Sequence, residues 1–592
     1  MKINYESDFK LYEQNEVEDS ATPFRFRYKT SGISSYVAQF DGTDYTNCRR
    51  LDDGSLLVIF DDHKLPCGVL QVRREYFLTD EDFADGVCNR VTQQTLDVRL
   101  TDGESDDDST TVEVYPTYQK GDTFTFEDLT EEQIAQLTPV KGVDYFTQED
   151  IESMSEIFLT KGDVELDNLL AYGIEFNIRI STNNCSRIGN LSLHRSLPIQ
   201  SHMRGCLLDD DGQVVEYLPE DTWVGSTRDG SLGQVMVEVP EHYIKFVSDG
   251  YTRQVWISEF ALAGYTKVPK MYIGAYEASI NRTSTTLASV VNTTEEYRGC
   301  NNTSTYDNTY RSQLGRAVSN MASYYMRAYT RKRKSSTTEW NCYSYHAHRA
   351  IYWLFTVEYA TLNSQEAINT ALTTEGYRQG GLGNGATTLA EANWYYFNEF
   401  SPFIPCGHTD SLGNSSGEVV YTVYDETNNF VISTYANRYR GIENPFGHIQ
   451  KWIDGVVIDI RSDSYSGLYA GESRVFIAED YASFTAILSL NDNGYSNYYH
   501  AGNLSRDVSS FIREIALGDN GDIFATSCSG SSSTYYCDIL FSQNTVSQIS
   551  GVSIGGTSKD GEYAGLTAMN TIYAPSYGQN NTGTRICFHP NE

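Results

Sequence analysis

Residues 438–455 read RYRGIENPFGHIQKWIDG and set two arginines, three glycines, a proline before an aromatic and a tryptophan beside an acid in one short run. Asn444 precedes Pro445, and the proline ring pushes the residue before it toward an extended conformation. Gly441 and Gly447 supply turns that other residues resist. The spacing of Phe446, Ile449, Trp452 and Ile453 predicts one face of a short helix ending at Gly455. The stretch reads as a loop folded onto a core, and the organisation of the chain is worked outward from it.

At 592 residues the chain exceeds a single ordinary core, which implies two to four domains. Its 79 Asp and Glu against 44 Lys and Arg give a formal charge of -35. A nucleic-acid binder neutralises phosphates with clustered cations, so no nucleic-acid partner is expected. The basic run at 331–334 precedes two serines and reads as a solvated loop. The first nine residues, MKINYESDF, lack the apolar core of a signal peptide, and no window has the apolar length of a membrane span. A soluble protein without membrane insertion is expected. Eleven scattered cysteines do not form a dense disulfide framework and are expected reduced. The 44 tyrosines point to recognition, because tyrosine offers a rigid amphipathic contact surface at low entropic cost.

Along the chain, FRFRYKT, SYVAQFDGTDY, SLLVIFDDH and VEVYPTY are short β-type runs, and residues 1–120 read as a small β-domain. The acidic segment 101–110 lacks the Gly and distant Glu of an EF-hand loop and reads as a solvated turn. Thr130 with Gln133, and Thr147 with Asp150, are capping-box starts. They are followed by narrow apolar stripes, Ile134 and Leu137, then Ile151, Met154 and Ile157. These stripes define a helical connector over 121–166 that packs on neighbours or on copies of itself. Residues 167–592 combine aromatic strands with Gly/Asn/Ser loops, and helices are expected over 309–329 and from 349 through 373. The resulting expectation is an α+β multidomain fold.

Three motifs bear on chemistry. Gly413, Asn414, Ser415, Ser416 and Gly417 satisfy G-x-S-x-G, but a strand-like EVVYTVYDE follows where a nucleophile elbow needs a helix. GGLGNG at 380–385 lacks the third glycine of a dinucleotide loop and the Lys-Ser/Thr of a phosphate loop. Cys342, His346 and His348 with Cys406 and His408 are a possible zinc set without repeated ligand spacing, and buried thiols and core histidines are the ordinary reading.

The stretch 447–452, GHIQKW, resembles the Gly-Asn-Val-Trp-Glu-Trp segment of the formylglycine-generating-enzyme type of C-type-lectin-like domain, with Trp452 at the second tryptophan and Gln450 replacing the first. VMVEVPEHYIKF (235–246) and VPKMYIGAYEAS (268–279) look like that family's opening strands. IGGTSKDGEYAGL (554–566) and TGTRICF (582–588) look like its closing strand and Gly-x-Arg ending. Together with 185–212 and 513–526, these blocks resemble the large fibre and receptor-binding proteins of tailed phages of gut bacteria, crAss-like and related. The segment 126–151 is similar to the connector of such fibres, which are usually trimers.

The resemblance implies a structural virion fibre of the tail or head. Its residues 1–120 would attach it to other virion proteins, and a loop-rich C-type-lectin-like domain over 167–592 would bind a host-surface receptor or glycan. It also implies a homotrimer and a location on the virion surface after synthesis in the host cytoplasm. No enzymatic activity, cofactor or metal is expected. Cys528 and Cys537 have eight residues between them, with Cys587 far beyond, unlike the close reactive pair of the family's copper-dependent oxidases. Glu443-Asn444-Pro445 and Trp452-Ile453-Asp454 do not keep the order of calcium-dependent sugar-binding motifs. The alternative is a surface-polysaccharide depolymerase or formylglycine-type oxidase on the same fold. The family pattern assigns framework roles to Arg440, Gly447, Trp452, Asp454, Gly555, Gly556 and Arg585, with Trp452 in the core and Arg440 and Asp454 as polar ties. It puts receptor contact on Tyr563, Asn570, Tyr573, Tyr577, Asn580 and Asn581, amphipathic or amide side chains suited to stacking and hydrogen bonding.

Overall fold

The computed structural model describes residues 2–4, 8–13, 21–30, 35–51, 55–61, 63–79, 87–101, 111–114, 166–299, 312–390, 402–425, 427–480 and 489–590. The chain divides into two compact units, Met1–Pro139 and Val140–Glu592. All but the last residue of the expected helical connector over 121–166, with its capping boxes and both apolar stripes, and the acidic turn after Thr101, lie outside the described residues.

In the first unit, strand formation follows from strict alternation. Phe24, Phe26 and Tyr28 point inward along Phe24–Lys29, while Arg27 and Lys29 are exposed, the period-two pattern of a half-buried strand. That strand pairs with Gly68–Thr79 on one side and Tyr36–Phe40 on the other. A six-stranded sheet results, with Val87–Thr101 pairing along Gly68–Thr79. A second sheet of four strands carries Phe9–Glu13 against Leu56–Phe60, where the Phe9 and Phe60 rings stack at 4.3 Å. Phe9, Leu11, Phe26, Tyr28, Phe60 and Val72 share one buried core.

The second unit is built on β-sheets as well. A nine-stranded sheet is centred on Gln450–Ile460, flanked by Ser473–Ala478 and Gln548–Gly555. A six-stranded sheet takes Ile586–Phe588 into its interior, between Met271–Gly274 and Trp340–Cys342. A five-stranded sheet contains Ala171–Asn177, Thr252–Ser258 and His242–Asp249. The helix Tyr345–Tyr359 (α2, following α1 at Ser323–Arg331) lies inside the unit. Residues all round α2 are buried, including Ile351, Trp353, Leu354, Phe355 and Val357, the signature of a helix enclosed by its domain. The Ser344 hydroxyl accepts the Ala347 N–H at 3.0 Å and caps its start.

Strand makes up 43% of the structure and helix 11%, so the architecture is mostly β and the expected α+β class is corrected. The physical reasons are local. The helix expected at 446–455 is absent, because Gln450–Ile460 is a strand buried at every position, and a strand covered on both faces shows no alternation to read. Asn444 is left-handed (φ 45°), not extended. Its N–H donates to Asn437 O at 2.7 Å and its carbonyl accepts from Arg585 at 2.7 Å, bonds that fix a conformation asparagine tolerates. The helix expected over 349–373 ends at Tyr359, where Ala360 turns left-handed (φ 55°). That expected over 309–329 begins only at Ser323, after left-handed turns at Gly315 and Asn320.

Candidate functional site

The loop between Gly565–Asn570 and Thr582–Gly583 brings four of the expected contact residues together: Tyr573, Tyr577, Asn580 and Asn581. Backbone bonds hold its ends. The Tyr573 carbonyl accepts the Gly551 N–H at 2.9 Å, and the Asn581 carbonyl accepts the Gln450 N–H at 2.8 Å. Thr582–Gly583 then runs parallel to Gln450 and Lys451. On this frame the Tyr573 and Tyr577 rings stack, centroids 4.5 Å apart and planes 6° from parallel. Tyr573 packs partly on a buried cluster that includes Trp452, Met326 and Ile586, whereas Tyr577 is 46% exposed. One ring of the stack is anchored and the other faces solvent.

The start of α1 joins this loop. Ser323 donates its N–H to the Pro575 carbonyl at 3.0 Å, and Asn320 donates to Gln579 O at 2.8 Å. Along α1, Tyr324 and Tyr325 have centroids 4.4 Å apart, and Tyr325 is 47% exposed. The sequence reading did not single out these helix tyrosines. Their adjacency in a basic, amphipathic helix was the available signal, but their nearness to residue 575 needed the fold.

The other two expected contacts lie elsewhere. Asn570 is buried, donating to Gln450 Oε1 at 3.3 Å and accepting the Ile572 N–H at 3.0 Å. Tyr563 sits beside the rings of Phe511 and Phe541, 5.4 and 6.4 Å away.

Beneath the loop, the framework residues are tied by buried polar groups. Arg585 donates to the carbonyls of Gly274 and Ala275, both at 3.2 Å, and to those of Glu443 and Asn444. Trp452 is 2% exposed, Asp454 pairs with Arg327, and Arg440 pairs with Glu358. Gly447, Gly555 and Gly556 are all left-handed, at φ 71°, 91° and 72°. A side chain at Gly556 would press on Ala564 Cβ at 2.8 Å. His448 accepts the N–H groups of Phe403 and Ile404 at Nε2, both at 3.1 Å, and pairs through Nδ1 with Glu277. Lys451 Nζ lies 2.9 Å from Glu277 Oε1 and from Gly447 O. Burial pushes the Glu277 carboxyl up, but Lys451 and His448 together outweigh it and hold it down at about 2. Burial brings the Lys451 amine down to about 8 against the pull of Glu277, so the pair is doubly charged at neutral pH.

The candidate chemical motifs are dispersed. His348 bonds Leu566 O, His408 bonds Val420 O, and Cys406 donates toward Glu277 O. No group of three or more His, Cys, Asp or Glu with metal-binding geometry occurs among the described residues. Burial pushes the thiols of Cys528, Cys537 and Cys587 up to about 11, 12 and 12, so they stay protonated at neutral pH and are weak nucleophiles. In the G-x-S-x-G segment, Gly417 opens the strand Gly417–Tyr424, and no helix follows the serine. Searched against protein-family models and against curated proteins, the sequence matches none.

Proposed function

We propose that this chain is a non-enzymatic virion fibre protein, on the tail or the head, that contacts the bacterial surface through the tyrosine loop 571–582. In this reading the N-terminal unit attaches to other virion proteins and the chains associate as a homotrimer. The observation that carries the contact reading is the Tyr573–Tyr577 stack: an amphipathic ring left open to solvent, held against a second ring that is anchored in the core. A rigid aromatic surface stacks on a sugar face or an apolar receptor patch with little ordering cost. The resemblance to phage fibres supplies the biological setting, and the acidic, tyrosine-rich composition agrees with it.

The test is adsorption of the intact purified chain to host cells, after light scattering has established its oligomeric state. The double variant Tyr325→Ala, Tyr577→Ala removes two exposed rings and leaves Tyr573 in the core. Adsorption is expected to fall at least tenfold with the thermal midpoint nearly unchanged. Normal adsorption by a folded double variant would sink the contact reading, and a monomer at micromolar concentration would remove the trimer.

A further inference from the structure

A second candidate recognition surface lies away from the tyrosine loop, where the unused G-x-S-x-G segment forms part of a cleft. The cleft has a volume of about 300 Å³, and Glu220, Glu358, Asn369, Arg378, Ser415 and Arg440 are among its lining residues. That volume is at the lower end of the ~300–1,000 Å³ of ordinary small-molecule sites.

Its walls come from separate segments that the fold holds firmly. The base is Glu358 near the end of α2, 1% exposed. Its Oε2 accepts from Tyr439 Oη and Arg440 Nε, each at 3.1 Å, and its Oε1 takes the other arm of Arg440. Both carboxylate oxygens are therefore fixed in place. The segment 413–417 is pinned from three directions: Asn414 N–H to Glu220 O at 2.8 Å, Gly205 N–H to Asn414 Oδ1 at 2.9 Å, and Arg440 N–H to Ser416 Oγ at 3.2 Å. A small antiparallel pair, Ile368–Asn369 with Gln379–Gly380, brings Asn369, Thr370 and Arg378 to the same cleft. Ser415, Asn369, Thr370, Arg378 and Glu220 are exposed, so their polar groups are open to a ligand.

The lining selects the class of ligand. Two carboxylates face two guanidinium groups, so their formal charges cancel and neither an anion nor a cation finds a matching field. Hydroxyl and amide groups of Ser201, Asn369, Thr370, Asn414, Ser415 and Ser416 line much of the rest. A purely apolar ligand would strip water from these groups and leave them unpaired. Met203, Tyr359 and Ile368 add apolar surface beside them. Many alternating donors and acceptors, no net charge and some apolar contact together describe the surface of a sugar ring. We propose that this cleft binds a neutral saccharide, independently of the tyrosine loop.

The experiment is saturation-transfer NMR on the intact chain with D-glucose, D-galactose, D-mannose and N-acetyl-D-glucosamine, and with D-glucuronate and D-glucosamine as charged controls. Transfer is expected to at least one neutral sugar and more weakly to the charged ones. Ser415→Trp, which fills the cleft, is expected to weaken that binding at least tenfold, in the parent chain and in a Tyr577→Ala background alike. The exposed pair Asn369→Ala, Arg378→Ala supplies the same reading if the tryptophan variant does not fold. No transfer to any neutral sugar, a preference for a charged one, or undiminished binding in a folded cleft variant would overturn the proposal. Loss of binding in Tyr577→Ala would move the sugar to the loop and overturn it equally.

Discussion

Two strands, one from each unit, were built by opposite rules. In Phe24–Lys29 the rings of Phe24, Phe26 and Tyr28 enter the core and the intervening cations leave it. In Gln450–Ile460 all eleven residues are buried, Lys451, Asp454 and Asp459 included. The first strand is held by apolar burial. The second carries charges inward and neutralises each with a partner: Lys451 with Glu277, Asp454 with Arg327, and Asp459 with the adjoining Arg461 and with Arg474 of the next strand. Buried pairs give little net stability over apolar residues of the same shape, but each is costly to break because the surviving charge is stranded. The second strand therefore depends on matched polar contacts as well as on burial, and the first on volume alone.

The comparison is broken most severely by exchanging the damage. All six tryptophans, at 223, 256, 340, 353, 394 and 452, belong to the second unit, so indole emission reports that unit alone. Glu277→Ala leaves Lys451 buried without its carboxylate and is expected to destabilise the emission transition by ~3–5 kcal/mol. Phe26→Ala is expected to cost ~3–5 kcal/mol in the first unit, seen in far-ultraviolet circular dichroism with the emission transition unmoved. If either variant shifts both transitions equally, the two units do not unfold separately and the contrast fails.

A smaller effect comes from acid–base linkage. Burial pushes the Asp538 carboxyl up to about 7 despite hydrogen bonds from the Thr567 N–H and hydroxyl, both at 2.7 Å. The unfolded carboxyl ionises near ~3.9. Between those values the native state holds a proton that the unfolded state has released, so this group makes stability fall as pH rises, with the full penalty above about 7. Asp538→Asn is expected to match the parent near pH 4 and exceed it by roughly 2–4 kcal/mol at pH 8, at ~1.4 kcal/mol per pKa unit. Urea titrations at the two pH values measure this, and an equal difference at both would assign the effect to packing.

The smallest expected effect sharpens the contrast from the other side. Glu75 pairs with Arg25 and Arg73, whose side chains are 41% and 51% exposed. Glu75→Gln is expected to change the first unit by ~0–1 kcal/mol. A loss as large as that for Glu277→Ala would mean the first unit also relies on its charges.

What could be read from the sequence divides along the same line. FRFRYKT announces its strand because one face repeats every second residue, and SLLVIFDDH announces its own by a short apolar run; Phe24–Lys29 and Leu56–Phe60 lie within them. The apolar run around residues 349–360 announced most of α2. Around Lys451 the same logic failed, since a buried lysine is recognisable only once Glu277 is known to face it. Tyr577 was legible as an amphipathic side chain in a glycine-framed segment. Asn570 was indistinguishable from it until Gln450 drew it inside. The cleft was least legible, because Ser201, Asn369 and Ser415 share it through folding alone.

Ile586–Phe588 lies inside a sheet whose other five strands all precede it in the chain. Its neighbour Met271–Gly274 is synthesised roughly 310 residues earlier, on the order of 15–60 s at ~5–20 residues per second. Trp340–Cys342 follows within that interval, and until Ile586–Phe588 is made the two strands lack the one that lies between them. Assembly of this sheet is thus timed by translation, and a nascent chain arrested before Ile586 would offer chaperones, or another copy of itself, an unfilled slot for one strand.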